Sequence, residues 1–169
     1  VVCCPTAVMS ESTITTGDAR LDALAERLTQ GFDQFGGRLR SDRGELTLEL
    51  AAERLIDACA TLRDDKTLAF EQLIDLCAVD YAAYGLSEWA TTDASHFGFG
   101  RGVDRDLELE TDAADRFAIV YHLLSVTHNW RLRLVVRAGG KQPLVPSVVA
   151  LWSAADWFER EAFDLFGIL

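Results

Sequence analysis

Three acidic side chains near the end of the sequence have the residue types and the spacing that acid–base chemistry could use. The stretch 156–169 reads "DWFEREAFDLFGIL" and contains Glu159, Glu161 and Asp164. Paired carboxylates serve as general acid and base when the pKa of one of them is raised. Arg160 lies among these acids, however, and a neighbouring guanidinium keeps carboxyl groups ionised. No histidine or nucleophile accompanies them, so we expect no catalysis from this stretch.

The positions of cysteine and histidine do not predict a metal or iron–sulfur site. Such sites use closely spaced ligands, for example C-x-x-C pairs, and this spacing does not occur in the sequence. Cys59 and Cys77 lie in apolar runs, so we expect buried thiols in a reducing compartment, which suggests the cytoplasm. His122 falls in an alternating strand and His128 in a turn, so we expect structural roles for both. The other residues of these types are Cys3, Cys4 and His96.

Two further patterns involve glycine and arginine. The stretch "HFGFGRG", 96–102, lacks the G-x-G-x-x-G pattern of a dinucleotide site and does not lie between a clear strand and a clear helix, so we expect a flexible loop. Arg131, Arg133 and Arg137 alternate on the exposed side of one predicted strand. They form either a solvated face or a basic strip for an acidic partner.

The composition is that of a globular protein of about one domain. The chain has 169 residues, of which 49% are hydrophobic and 25% are charged. No apolar run approaches the roughly 18–20 residues that span a bilayer. The formal net charge of -11 argues against binding to free nucleic acid or to an anionic membrane, because both require basic patches. A basic protein partner is compatible with this charge.

The N-terminal residues are predicted to be separate from the folded part. Residues 1–18 are small and polar after an apolar start, so we expect a flexible extension, followed by one domain over 19–169. The opening "VVCCPTAV" lacks the basic start and the longer apolar stretch of a secretory signal. Met9 is the only methionine, so we expect translation to start there, with residues 1–8 as an upstream extension.

Periodic apolar residues predict helix, strand and helix in the first part of the domain. Leucines recur at three- and four-residue intervals between Asp18 and Phe32, which predicts a helix with Asp18 as its cap. Leucines alternate with polar residues over 44–50, which predicts a half-buried strand. A second helical pattern follows in "AAERLIDACATLRDD", 51–65.

The second part of the domain is predicted to be rich in strands. Residues 70–85 read as a strand that leaves the core near Val79, and 85–115 as a long loop. Apolar and polar residues alternate over 116–140 on both sides of a turn near 127–130, which predicts an antiparallel hairpin. Another strand is predicted over 145–152. These elements predict a single α+β domain, with a mostly antiparallel sheet and helices packed on one face.

The closing helix is predicted to begin at a capping box. Ser153 and Asp156 have the spacing of that motif, and Trp152 and Trp157 occupy the two positions of a hydrophobic staple around it. Arg160 is spaced to pair with Asp156 one turn before it and with an aspartate one turn after it.

The same helix is predicted to be apolar on two sides. One ridge contains Phe158, Ala162 and Leu165, and another contains Phe163 and Phe166. A helix that is apolar on two sides is buried on two sides. The second side is covered either by the predicted loop or by another protein, and aromatics mixed with arginine favour a protein interface.

At this point two blocks of the sequence resemble a known family. The blocks "RFAIVYHLLSVTHNWRLRLVV", 116–136, and "VPSVVALWSAADWFEREAFDLFGI", 145–168, resemble the C subunit of the bacterial proton-pumping NADH:quinone oxidoreductase, respiratory complex I. The signature E-R-E-x-x-D-hydrophobic-hydrophobic-G is intact, and "DLCAVDY", 75–81, matches more weakly. By this resemblance the residues expected at a partner interface are Trp157, Glu159, Arg160, Glu161, Asp164, Leu165, Phe166 and Gly167.

The resemblance implies a protein that has no catalytic residues and no redox cofactor of its own. It implies a place in the peripheral arm, on the cytoplasmic side of the bacterial inner membrane, against the D subunit that holds the quinone site and near the B and I subunits. The whole complex transfers electrons from NADH through FMN and iron–sulfur centres, which lie in partner subunits, to quinone, and translocates protons.

One departure from the family pattern concerns the end of the chain. The family continues into a glycine-histidine-proline stretch and a basic segment, whereas this chain stops at Leu169, so we expect it to be truncated relative to the family. The alternatives are the corresponding component of a related membrane-bound hydrogenase, a hydrolase that uses Glu161 and Asp164, and an independent binding domain.

Overall fold

The computed structural model describes most of the predicted domain. The described residues are 18–32, 36–84, 94–95, 98–99 and 115–169. Of the predicted N-terminal extension only Asp18 is described, and most of the predicted loop at 85–115 lies outside the described residues. The same is true of the "HFGFGRG" stretch, apart from the backbone of Gly98 and Phe99.

The described elements are three α-helices and seven strands. In chain order they are helix α1 (Ala19–Phe32), strand β1 (Arg38–Asp42), strand β2 (Glu45–Leu50), helix α2 (Leu55–Asp64), strand β3 (Gln72–Asp80), strand β4 (Ala94–Ser95), strand β5 (Gly98–Phe99), strand β6 (Phe117–Ser125), strand β7 (Trp130–Ala138) and helix α3 (Ala155–Phe166). A 3-10 turn at Ala52–Arg54 precedes α2.

One mixed sheet organises the fold. Its five strands follow the order β1-β2-β7-β6-β3. Only β2 and β7 pair in parallel, whereas the other three neighbouring pairs are antiparallel. Strands β4 and β5 form a separate two-stranded pair. The prediction of an α+β fold with a mostly antiparallel sheet is therefore confirmed.

The hydrophobic core lies on one face of the sheet. Leu48, Leu134, Tyr121 and Leu76 are paired in register across four neighbouring strands, and each is at most 2% exposed. Helices α1, α2 and α3 contribute their own buried residues to the same cluster. All three helices thus cover one face of the sheet, as predicted, because burying apolar side chains is what stabilises the contact.

Several elements were predicted correctly from periodicity. Helix α1 buries Leu24 and Leu28, and the Asp18 carboxylate accepts the backbone N–H of Arg20 at 2.9 Å at its start. Strand β2 and helix α2 follow the predicted patterns, and the hairpin of β6 and β7 turns at 126–129.

Strand β1 was missed by the sequence analysis. It reads RLRSD, lies at the edge of the sheet and has no fully buried residue. It is held by a tight hairpin to β2, in which Arg43 and Gly44 have φ of 52° and 79°. Two successive positive φ values are the mark of the hairpin turn that suits the twist of antiparallel strands.

The predicted strand over 145–152 is wrong. This segment forms no regular strand, and its second half is a turn in which Val148 O accepts the N–H groups of Leu151 and Trp152. Val148 and Trp152 are nevertheless 0% and 5% exposed. The apolar pattern therefore reflects side chains that are buried in the core. Pro146 has no N–H to donate, and this interrupts strand pairing.

The prediction of two buried cysteines is half right. Cys59 is buried in α2, and burial raises the pKa of its thiol to about 12. Cys77 is exposed. It lies on β3, an edge strand, and it is paired with Val120, on the face of the sheet opposite to the core residues Leu76 and Tyr121.

An ion pair joins the end of β3 to the start of β6. The Arg116 guanidinium donates to both carboxylate oxygens of Asp80, at 3.0 and 2.6 Å, and Asp80 also accepts the Ala82 N–H at 2.9 Å. The Tyr81 N–H donates to Arg116 O at 2.8 Å. These bonds hold together the two points at which the chain leaves and re-enters the sheet.

Replacing Asp80 with asparagine is expected to lower the free energy of unfolding by about 1 kcal/mol at neutral pH, because the amide loses the charge-assisted pairing. The hydrogen bond from Arg116 lowers the pKa of Asp80 from its usual 3.8. A carboxyl group of this kind stabilises the fold above its unfolded-state pKa, and the effect is lost as pH falls through the folded-state pKa. Urea unfolding of both proteins at pH about 7 and about 3 should therefore show a difference that shrinks at the lower pH. An equal difference at both pH values would contradict this account.

Candidate docking site

Helix α3 packs against the edge strand β3 more extensively than against any other element. Its small residues Ala155 and Ala162 are 0% and 4% exposed. Because alanine side chains are short, the helix backbone can approach its neighbours closely at these positions. These two alanines lie about two helical turns apart and define the side of α3 that faces the core.

The two predicted apolar ridges of α3 need correction. Phe158 and Phe166 are half-buried and share the inward side with Ala162, and the Phe166 ring meets the Phe117 ring edge-on at 6.2 Å. Leu165, which was predicted to extend the ridge of Ala162, is 67% exposed. Three residues correspond to about 300°, so Leu165 lies about 60° around the helix from Ala162, at the margin of the inward side, and it is left exposed there.

The predicted capping box at the start of α3 is also wrong. The residue before the helix is Ala154, in a helical conformation, and no side chain caps it. The residues just before α3 already form a turn. In it, Trp152 O accepts the Ala155 N–H at 3.0 Å and Ser153 O accepts the Asp156 N–H at 3.4 Å. Backbone carbonyls thus satisfy the first N–H groups, and no hydroxyl is required.

The end of α3 is fixed by Gly167. This residue has a left-handed φ of 70°, and its N–H donates to Phe163 O at 2.8 Å. Glycine adopts this conformation at the ends of helices without steric cost. The chain then runs alongside the segment before α3, where Leu169 N–H donates to Pro143 O at 2.9 Å and Val145 N–H donates to Leu169 O at 2.7 Å.

Glu159, the first glutamate of the E-R-E motif, faces inward. Its Oε1 atom accepts the backbone N–H of Val148 at 2.7 Å. It also lies near Tyr121, whose phenol pKa is raised chiefly by burial, with smaller contributions from Cys59 and Glu159. Glu159 therefore ties α3 to the turn that precedes it.

The outward side of α3 carries large apolar residues. Trp157 is 74% exposed and Leu165 is 67% exposed. Phe163 is 50% exposed, but it lies about 200° around the helix from Leu165, on the opposite flank of α3, where it lines a separate depression with Ile168 and Leu169. A shallow groove of about 460 Å³ runs along the flank that carries Trp157 and Leu165. We call it the outer groove, and it is lined by Trp157, Phe158, Arg160, Glu161, Asp164 and Leu165.

The charges of the outer groove are only partly paired. Arg160 Nε lies 3.9 Å from Asp164 Oδ2, and both side chains are exposed. Among the described ion pairs Arg160 has no bond to Asp156, so only one half of the predicted two-sided pairing forms. Glu161 takes part in none of the described ion pairs. It lies near Cys77, whose thiol pKa is raised by burial first, then by Asp75 and then by Glu161.

The three arginines of the predicted basic strip lie on the face of the sheet opposite to the core. Arg131 is exposed, whereas Arg133 pairs with Glu45, and Arg137 Nε lies 3.4 Å from Glu49 Oε1. Two of the three charges are thus balanced by acids of β2. The role of the strip in binding an acidic partner stays a prediction.

The described histidines do not converge. His122 lies on the side of β6 opposite to Tyr121, and His128 lies in the turn, where its ring stacks on Trp130 at 4.6 Å and its Nε2 is 3.0 Å from Lys66 O. Within the described ranges, no three residues of types His, Cys, Asp and Glu are placed to hold a metal ion. No helix in the same ranges is long and apolar enough to cross a membrane.

Comparison with known proteins identifies the family. Residues 48–169 match the family described as "Respiratory-chain NADH dehydrogenase, 30 Kd subunit". The chain belongs to this family. The resemblance inferred from the blocks 116–136 and 145–168, the second of which contains the E-R-E signature, is therefore confirmed.

Two relatives illustrate the extent of the similarity. The NADH-quinone oxidoreductase C subunit of Coxiella burnetii (strain RSA 331 / Henzerling II) is 49% identical over 126 residues, which cover 73% of this chain and 56% of the relative. The C subunit of Acidithiobacillus ferrooxidans (strain ATCC 53993 / BNL-5-31) is 46% identical over 151 residues, 88% of this chain and 63% of the relative. The chain spans less than two thirds of the length of these relatives.

Two solved structures share the fold. The structure described as "Nqo5 of the trypsin-resistant fragment (1-134) in P63 form" is 27% identical with a TM-score of 0.61, and the match covers 89% of this chain and 94% of that chain. A chain of the membrane-bound sulfane sulfur reductase (MBS), an archaeal respiratory membrane complex, is 16% identical with a TM-score of 0.59, over 90% of this chain and 70% of that chain. The second likeness shows the fold alone.

Replacing Glu159 with alanine is expected to lower the free energy of unfolding by about 2 kcal/mol, because the N–H of Val148 loses its charged acceptor. Glu159→Gln should cost less, since the amide oxygen can still accept this bond. Glu161→Ala, on the exposed side of the same helix, is the matched control and should change stability by less than about 0.5 kcal/mol. Urea unfolding compares the three variants, and equal losses for Glu159→Ala and Glu161→Ala would rule out the inward role of Glu159.

Proposed function

We propose that this chain is a non-redox structural subunit of the peripheral arm of the proton-translocating NADH:quinone oxidoreductase. In this proposal the enzyme transfers electrons from NADH through FMN and iron–sulfur centres to quinone. The chain takes part in that reaction by holding other subunits in place, without binding the substrates. The proposal rests mainly on one observation, which is that α3 carries the family signature and exposes Trp157 and Leu165 on its outward side.

The exposed residues support docking through α3. Trp157 and Leu165 lie two turns apart on the helix, and a stable monomer gains nothing from exposing side chains of this size together. Tryptophan and arginine are among the residues that contribute most to binding at interfaces. The core cluster takes Ala155, Phe158 and Phe166 from the other side of α3, so within the described structure the outward residues remain available to a neighbouring protein.

The proposed neighbours follow from the family. In this proposal α3 packs against the D subunit of the complex, which holds the quinone site, and the B and I subunits lie nearby. We call the first of these neighbours the quinone-site subunit. The chain lies in the part of the complex on the cytoplasmic side of the inner membrane, attached to the membrane through its neighbours.

The proposal places FMN and the iron–sulfur clusters in partner subunits. The thiols described in this chain are Cys59, which is buried in the core, and Cys77, which lies alone on an edge strand. A cluster needs several thiolates that converge on the same iron atoms. The chain alone has no described set of residues that meets this requirement.

The purified chain, treated with iron, sulfide and FMN under reducing conditions, is expected to retain neither cluster nor flavin after desalting. Iron and sulfide analysis and flavin fluorescence measure this. Binding of iron and sulfide in amounts equal to the protein would contradict the assignment of all redox groups to partners.

The alternatives are less well supported. The fold is also found in the archaeal sulfane sulfur reductase complex, but at 16% identity this likeness does not favour a different electron-transfer complex. A hydrolase that uses Glu161 and Asp164 requires an enclosed site, and both residues lie on the exposed surface of α3. An independent binding domain would not be expected to carry the signature of a family of multisubunit enzymes.

Replacing both Trp157 and Leu165 with serine is expected to weaken association with the quinone-site subunit at least about 30-fold, because both residues then lose the apolar area that the partner covers. Since both side chains are exposed, the free energy of unfolding should change by less than about 1 kcal/mol in total. Co-purification of the tagged full-length protein with the quinone-site subunit, followed by measurement of Kd, tests the prediction.

The matched control is Val126→Ser, which removes an exposed apolar residue from the turn between β6 and β7. It should leave the association unchanged. Loss of association in the control, or none in the double variant, would count against α3 as the docking site. Failure of the unaltered protein to co-purify with any component of a quinone reductase would overturn the proposed function as a whole.

A further inference from the structure

The outer groove places an acidic residue between two exposed apolar ones. Trp157, Glu161 and Leu165 follow each other at four-residue intervals, so they lie in a row on successive turns of α3. Residues at this spacing have Cβ atoms about 5–6 Å apart on a helix surface. A partner that covers both Trp157 and Leu165 therefore also covers Glu161.

Covering Glu161 without a partner charge would be unfavourable. A carboxylate that loses its water needs a cation or several hydrogen-bond donors in exchange. Glu161 has no ion pair within the described part of the chain, and its neighbour Arg160 already lies beside Asp164. The cation must therefore come from the molecule that docks.

We propose that the outer groove binds an arginine side chain of the neighbouring protein, with its guanidinium stacked on Trp157 and paired with Glu161. The proposal rests on the proposed function, and it adds the chemistry of the partner. A guanidinium is planar, so one arginine can lie over an indole ring and donate two hydrogen bonds to a carboxylate from its edge. An ammonium group of lysine is more strongly hydrated and has no flat face to stack.

A second copy of this chain is a poor occupant for the groove. Each copy would bring two acids, Glu161 and Asp164, and only one arginine, Arg160. The net charge of -11 per chain adds repulsion between copies. A different protein with a basic and apolar surface can pair with the carboxylate of Glu161 and also cover the exposed ring of Trp157.

The test measures the Kd of the full-length protein for the quinone-site subunit at about 50 and about 300 mM salt. Glu161→Gln is expected to weaken binding roughly 30-fold at low salt and to reduce its salt dependence, because one charge pair across the interface is lost. Trp157→Leu keeps an apolar side chain but removes the ring, so it should also weaken binding. The matched control Glu53→Gln removes an exposed acid outside α3 and should change neither quantity.

The identity of the basic residue is tested by chemical footprinting of the quinone-site subunit. Phenylglyoxal modifies arginine, and acetic anhydride modifies lysine. An arginine of the partner should be protected from phenylglyoxal in the complex, as read by mass spectrometry. Protection of a lysine, or of no basic residue, would overturn the proposal.

Two further outcomes separate this inference from the proposed function. If Glu161→Gln binds like the unaltered protein while the Trp157 and Leu165 double variant does not, docking through α3 stands and the arginine is rejected. If sedimentation shows that the unaltered protein forms a dimer and that Glu161→Gln does not, the groove binds a second copy, which also overturns the inference.

Discussion

The hydrogen bond between Glu159 and the Val148 N–H is the contact on which the orientation of α3 depends. This helix begins without a side-chain cap, and the residues that it buries completely are alanines, which have little shape to fix its rotation. A charged acceptor on a buried N–H is directional and costly to lose. It holds the helix so that one side meets the core and the opposite side meets whatever lies outside.

The E-R-E signature of the family then has a simple geometric meaning. Residues two apart on a helix are separated by about 200°, so Glu159 and Glu161 must point to nearly opposite sides. The first glutamate binds the protein's own backbone, and the second is left in the outer groove. One short motif thus combines a residue that fixes the helix with a residue that the helix presents.

The sequence predicted those elements whose apolar residues face one continuous core. Alternation or helical periodicity identified β2, β6, β7 and the three helices, because each buries every second or every third to fourth side chain. It missed β1, since this strand buries no side chain completely and is defined by its pairing with β2. It also misread 145–152, where core residues are supplied by a turn, and pattern alone cannot separate a buried turn from a strand.

The candidate site was predictable in its residues but not in their directions, because the inward position of Glu159 depends on the turn at Val148. The grouping of Leu165 with Phe158 and Ala162 failed for the same reason. When a helix has apolar residues on two sides, the sequence alone does not show which side faces its own core.

The two charged surfaces of the molecule differ in a way that distinguishes a docking site from a solvated face. On the sheet, Arg133 and Arg137 of β7 meet acids of β2 across the parallel pair, and Glu49 accepts a further bond from Arg40 at 3.0 Å. Such exposed pairs satisfy one another and need nothing from outside. On α3, Glu161 lies unpaired among the described charges beside an exposed tryptophan. On this flank of α3 an unpaired charge therefore lies beside apolar surface that the described structure leaves uncovered, and one partner can balance the charge and cover the surface.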